Sequence, residues 1–185
     1  MKKYIALFLL IILIVALPVG CKKDESQPDP DPIQEQPKEQ PPVLVEKEIL
    51  LLYPDRDNNF LLPEFRKITA VEETELEEMV ELVLEELIKG PSNEMLKSMI
   101  DRDTEVLSVK IHGTTATVDL SEVFIDKGHN GREKLFQVFS VVNTLSELGL
   151  EEVFLLVEGS PITDHYTALD HGMPFIRNDE LIPSK

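Results

Sequence analysis

The side chains with the most chemical potential lie near the C-terminus, in Asp164-His165-Tyr166 and Asp170-His171-Gly172. Two imidazoles and two carboxylates within one loop supply nitrogen and oxygen donors suited to zinc. Asp164, His165, Asp170 and His171 are therefore the candidate metal ligands. The same residues also build turns through side-chain to backbone hydrogen bonds, and Gly159, Pro161, Gly172 and Pro174 mark the stretch as turn-rich. Turn-building is the stronger account of the cluster. A second oxygen-rich run, Asp55-Arg56-Asp57-Asn58-Asn59, has the alternating donors that open a calcium loop. It lacks the glycine turn and the later bidentate glutamate that such a loop needs. His112 and His129 read as turn residues. The chain has no G-x-S-x-G elbow, no phosphate-binding glycine loop and no H-E-x-x-H, so no catalytic residue and no cofactor is expected.

The single cysteine, Cys21, has a different use. Lys2 and Lys3 precede an unbroken apolar run from Ile5 to Leu17, and Leu17-Pro18-Val19-Gly20-Cys21 closes it. About 13 apolar residues suit an export-signal core and fall short of the ~20 that span a bilayer. The closing residues resemble a bacterial lipobox, in which the thiol takes a diacylglycerol and becomes the new N-terminus. Pro18 departs from that pattern, which usually has Leu, Val or Ile three residues before the cysteine. Residues 1–20 are read as a lipoprotein signal peptide and Cys21 as the lipidation site. The expected location is the extracytoplasmic face of the cell membrane, held by the lipid. Without a second cysteine, no intramolecular disulfide can form.

Charge narrows the partners. Asp and Glu number 35 against 18 Lys and Arg, and loss of the two leader lysines would move the formal net charge from −17 to −19. Nucleic-acid affinity comes mostly from cations neutralising phosphates, so no nucleic-acid partner is expected. An anionic lipid surface is disfavoured on the same ground, and the membrane enters only through the anchor. Residues 21–45 are rich in Pro, Gln, Asp, Glu and Lys, with six prolines between Pro28 and Pro42 that break helices and strand ladders. This acidic segment reads as a tether; at ~3.1 Å per residue, its Lys22–Pro42 stretch reaches on the order of 65 Å.

Residues 46–182 have the patterning of one domain. Ile49–Tyr53 and Phe60–Thr69 read as a hairpin around the Asp55–Asn59 turn. Leu76, Met79, Val80, Val83, Leu84, Leu87 and Ile88 fall on one helical stripe, so Glu75–Lys89 is predicted helical. Thr74 and Glu77 form its capping box, and Gly90-Pro91 stops it. Its glutamates read as a solvated face. Ser92 caps a predicted short second helix through Met99. Leu107, Val109 and Ile111 alternate along one strand and Ala116, Val118 and Leu120 along the next. A further helix is expected over Glu133–Leu148, with Leu135, Val138, Phe139, Val142 and Leu145 inward and the first helix alongside. Val153–Val157 then reads as an interior strand. The order strand, strand, helix, strand, strand, helix, strand predicts an α+β two-layer sandwich, a mainly antiparallel sheet with helices packed on one side.

Leu51-Leu52-Tyr53, Pro63-Glu64-Phe65-Arg66, Leu87-Ile88-Lys89-Gly90-Pro91, Val118-Asp119-Leu120-Ser121, Val142-Asn143-Thr144-Leu145 and Val157-Glu158-Gly159 occur in that order. Together they resemble the GerMN family, the sporulation and spore germination domain. The resemblance implies an envelope lipoprotein linked to sporulation or germination and a fold similar to ring-building domains. It brings no catalytic residues. The expected function is a non-catalytic scaffold or assembly module of an envelope protein complex, with self-assembly as one form of it. The alternatives are a binding module for cell-wall polymer or a small ligand, then an envelope hydrolase. Tyr53, Tyr166 and Phe175 gathered at one surface would favour binding, and an exposed unpaired strand would favour the scaffold.

Overall fold

The computed structural model describes residues 42–125, 128–164, 166 and 174–184. The residues read as signal peptide, lipidation site and tether, through Pro41, lie outside the described residues. Strands β1 (Leu44–Pro54) and β2 (Leu61–Val71) form a two-stranded antiparallel hairpin. Helix α1 (Leu76–Ile88) leads to β3 (Val106–His112) and β4 (Thr115–Leu120), and helix α2 (Gly131–Ser146) leads to β5 (Glu152–Val157). Two short strands, β6 (Ser160–Pro161) and β7 (Phe175–Ile176), pair antiparallel with β5. Among the described residues the order is the predicted α+β one, with two helices and two sheets, mostly antiparallel. One pair, β4 and β5, runs parallel because the α2 crossover returns the chain to the same end of the sheet.

Alternation decides which sheet face is buried. Ala116, Val118 and Leu120 of β4 and Val153, Leu155 and Val157 of β5 are almost wholly removed from water, while their neighbours are half-buried. The inward set joins one core with Met79, Val80, Val83, Leu84 and Leu87 of α1 and Val138, Val141, Val142 and Leu145 of α2. The hairpin meets this core through Ile49, Leu51, Tyr53 and Ile68. Its other face contributes Leu52 and Leu61 to a smaller cluster with Met99, Phe136 and Leu181. At the hairpin turn, Asp55 Oδ1 accepts the Asn59 and Phe60 amides, and Asn58 takes φ 56°. Its carboxylate builds the loop that the calcium comparison had singled out.

Several predicted details change. Ser92–Met99 is not a helix. Its amides bond elsewhere: Ser92 and Asn93 donate to the Glu64 carboxylate and Lys97 donates to the Pro54 carbonyl, and Leu96 forms a bridge with Asp55. Thr74 does not cap α1, because its hydroxyl donates to Val71 O at 2.6 Å and Glu75 is the N-cap with no side-chain bond. Helix α2 starts at Gly131, earlier than Glu133, under a capping box of Asn130 and Glu133. A bulge in β3 turns Leu107 outward and brings Val106 to the inner face with Val109 and Ile111. Tyr53, Tyr166 and Phe175 are all buried, so they form no aromatic surface.

Candidate functional site

Of the four candidate metal ligands, Asp164 ends a short 3-10 turn, Ile162–Asp164, and His165, Asp170 and His171 lie outside the described residues. Among the described residues, no group of three or more His, Cys, Asp and Glu converges. Tyr166, inside the same stretch, is a core residue. Its hydroxyl donates to Gln137 Oε1 at 2.6 Å, and the Lys134 ammonium lies 4.8 Å from its ring centroid. His112 ends β3 and is exposed; His129 adjoins the N-cap of α2.

The strongest local constellation is the run Pro63-Glu64-Phe65-Arg66. Strand alternation sends Glu64 and Arg66 to one face and Pro63 and Phe65 to the other. On the inner face, Arg66 donates to Glu86 O at 2.8 Å and Gly90 O at 2.9 Å, capping carbonyls at the C-terminal end of α1. It also pairs with the carboxylates of Glu64 and Glu86. Glu64 in turn receives the Ser92 and Asn93 amides. Gly90 takes φ +81°, a left-handed conformation that glycine adopts without strain. The clamp thus joins β2, the end of α1 and the Gly90-Pro91 turn.

Its electrostatics follow from those contacts. Burial alone would raise the Glu64 carboxyl, but hydrogen bonds from Asn93, Arg66 and Ser92 outweigh it and hold the group below its ordinary value of 4.5. Burial opposes ionisation of Glu86 in the same way, and Lys89 and Arg66 outweigh it. Tyr53 sits beneath the clamp, donates to Leu87 O at 3.1 Å, and has its phenol pushed up by burial. Every charge here has a structural partner, so the inner face offers a fastening and no free nucleophile or base.

The outer face differs. Phe65 is 63% exposed, and Pro63, Lys67 and Thr69 beside it are exposed too. In the hairpin register, Asp55 N bonds Phe60 O and Glu72 N bonds Val43 O, which fixes the alternation of bonded and non-bonded pairs. Phe65, Lys67 and Thr69 fall at non-bonded pairs, so their amides and carbonyls point away from β1. Among the described residues, no strand or side chain receives them. The matching outer edge of β1 is partly covered, with Leu52 N donating to Thr144 Oγ1 and Pro54 O accepting Lys97 N. Part of β2 is therefore an exposed, unpaired edge carrying one large aromatic side chain.

Sequence reading missed the polar residues of α2. Gln137, Ser140, Asn143 and Thr144 are buried beside the apolar stripe. Gln137 donates to Met99 O and Phe124 O, Asn143 exchanges two bonds with the Asn178 backbone, and Thr144 accepts from β1. Each latches a non-helical segment to the helix. The only signal was the width of the face, since Val141 shares burial with residues outside the narrow stripe.

Comparison with known proteins agrees with this architecture. The structure is similar to the first GerMN domain of the sporulation protein GerM from Bacillus subtilis: 21% identity, 70% of this chain, 93% of that chain and TM-score 0.52. It is also similar to the tandem GerMN domains of the same protein, at 19% identity and TM-score 0.54, covering 77% of this chain and 48% of that one. A candidate lipoprotein from Clostridium perfringens aligns at 20% identity over 72% of this chain and 89% of that chain, TM-score 0.49. No curated protein sequence matches. The family model described as sporulation and spore germination, Germane, matches residues 51–163, and the chain belongs to that family.

Proposed function

We propose that this protein is a lipid-anchored, extracytoplasmic scaffold that docks a partner protein of the cell envelope in sporulation or spore germination. The observation that carries the reading is the open β2 edge, where Phe65, Lys67 and Thr69 direct backbone donors and acceptors outward beside an exposed aromatic ring. Such an edge can accept an extended segment of a partner as an added strand, with Phe65 covered by the incoming side chains. Family membership supports the sporulation setting. The Lys2–Cys21 pattern supports the anchor, and among the described residues no helix is long and apolar enough to cross a membrane. The Glu64, Arg66 and Glu86 clamp is occupied in fastening a loop, which supports a non-catalytic role.

The test is crosslinking recovery of the full-length protein from intact sporulating cells, comparing wild type with Cys21→Ala, Phe65→Ser and Ile176→Ser. Ile176 is equally exposed, at 63%, and lies on β7, away from the proposed edge. The expected result is one envelope protein whose recovery falls with Cys21→Ala and Phe65→Ser and is retained with Ile176→Ser. Equal recovery with Phe65→Ser contradicts docking at β2.

A further inference from the structure

A second feature lies beside the clamp and takes no part in it. The last turn of α1, through Glu85, Ile88 and Lys89, and the Arg102–Val106 segment entering β3 enclose an open cavity of about 460 Å³. Small-ligand sites commonly measure about 300–1,000 Å³. Thr104 lines this cavity, is only 6% exposed, and has a buried hydroxyl with no hydrogen-bond partner among the described residues. A buried polar group in that state invites an explanation, because most find partners within the fold.

The charges around it are also unspent. Arg102 has no hydrogen bond or ion pair among the described residues, and its Nη2 comes within 3.7 Å of where a Cβ on Gly90 would lie. Glu85 and Glu105, both exposed, line the same cavity and have no cationic partner among the described residues, while Lys89 is held by Glu86. Ile88 and Val106 supply the apolar wall. A plain anion meets Glu85 and Glu105; a plain cation meets Arg102 and Lys89. A ligand carrying both signs satisfies both sets, and its small apolar part fits the wall.

From this juxtaposition we infer that the cavity between α1 and the start of β3 is a binding site for a zwitterion, an amino acid or a short free peptide. Arg102 takes the carboxylate, Glu85 and Glu105 take the ammonium, and the Thr104 hydroxyl is the polar group that bonds on occupancy. This site is separate from the β2 edge, so either can fail without the other. Two sources share the chemistry: a free amino acid and a free dipeptide.

Titration calorimetry of the full-length chain in detergent tests it, with alanine, dialanine, N-acetyl-dialanine and dialanine amide as probes. Saturable binding of alanine or dialanine is expected, with each cap and Arg102→Gln weakening it at least about tenfold through a lost charge-assisted bond. Thr104→Val separates binding from folding: with no bond to lose, its melting temperature should hold or rise while affinity drops. Alanine binding as tightly as dialanine identifies the free amino acid, and dialanine binding alone identifies the free dipeptide. Absence of saturable binding, equal binding of the capped forms, or unchanged affinity in Arg102→Gln would overturn the assignment.

Discussion

Two regions of this domain fasten loops to regular elements, and they do so with different chemistry. At the β2 clamp the fastening is ionic, with Arg66 held between Glu64 and Glu86 at a partly exposed seam. Along α2 it is neutral, with the amides of Gln137 and Asn143 and the hydroxyl of Thr144 sealed in the core. Depth accounts for the difference. A charged pair taken fully out of water carries a large desolvation cost, whereas an amide with both ends bonded does not. Near the surface, Arg66 can reach several carbonyls and carboxylates from one planar group, which a neutral side chain cannot.

Cutting the neutral fastening should cost most. Gln137→Leu removes the donor to the Met99 and Phe124 carbonyls and the Oε1 acceptor of the Tyr166 hydroxyl, which predicts a loss of roughly 3–5 kcal/mol in urea unfolding. Cutting the ionic one should cost less. Arg66→Met removes the donor from Glu64, Glu86 and Gly90 O at a seam that water can partly reach, for about 2 kcal/mol in the same assay. A loss for Arg66→Met larger than that for Gln137→Leu would reverse the comparison.

Acid sharpens the contrast. Glu64 and Glu86 are both held below 4.5 in the folded chain, so their stabilisation is complete above that pH and fades as pH falls through the folded values. Unfolding curves between about pH 6 and pH 3 should show this loss in wild type and in Gln137→Leu, and a shallower slope in Arg66→Met. Parallel slopes in all three would remove the clamp from the acid response. The smallest effect is expected at the edge itself. Lys67→Pro deletes an outward amide already outside the hairpin ladder, as Pro63 does naturally, so stability should change by less than ~1 kcal/mol. Partner pairing through that amide should nevertheless be lost in crosslinking.

What the sequence made legible follows the same division. The stripe Met79, Val80, Val83, Leu84, Leu87 is visible because apolar residues at helical spacing need only one surface to explain them. The alternation of Ala116, Val118 and Leu120 is visible for the same reason. Ser92–Met99 misleads because the Lys97 amide, which a local helix would bond internally, is taken by Pro54, and Glu64 takes the amides of Ser92 and Asn93, both partners being distant in sequence. Leu107 misleads because one bulge residue reverses strand phase. Gln137 and Asn143 stand outside the predicted apolar stripe, because a polar type carries no mark of the carbonyl it will meet. The Asn130 and Glu133 capping box was legible in principle: a cap residue followed three positions later by glutamate is a helix-start pattern. For the site, the run Pro63-Glu64-Phe65-Arg66 was visible as a motif, but its split into an inner clamp and an outer edge needed the strand register.

The central claim is that the outer edge of β2 is where a partner docks, and site-specific photocrosslinking tests it most directly. A photoreactive residue would be placed in the full-length protein at Phe65, at Thr69 and, as reference, at Ile176, then irradiated in intact sporulating cells. The account predicts adducts with one and the same envelope protein from positions 65 and 69, suppressed by Lys67→Pro, and no such adduct from 176. No adduct at either β2 position, or the same adduct from all three, would contradict it.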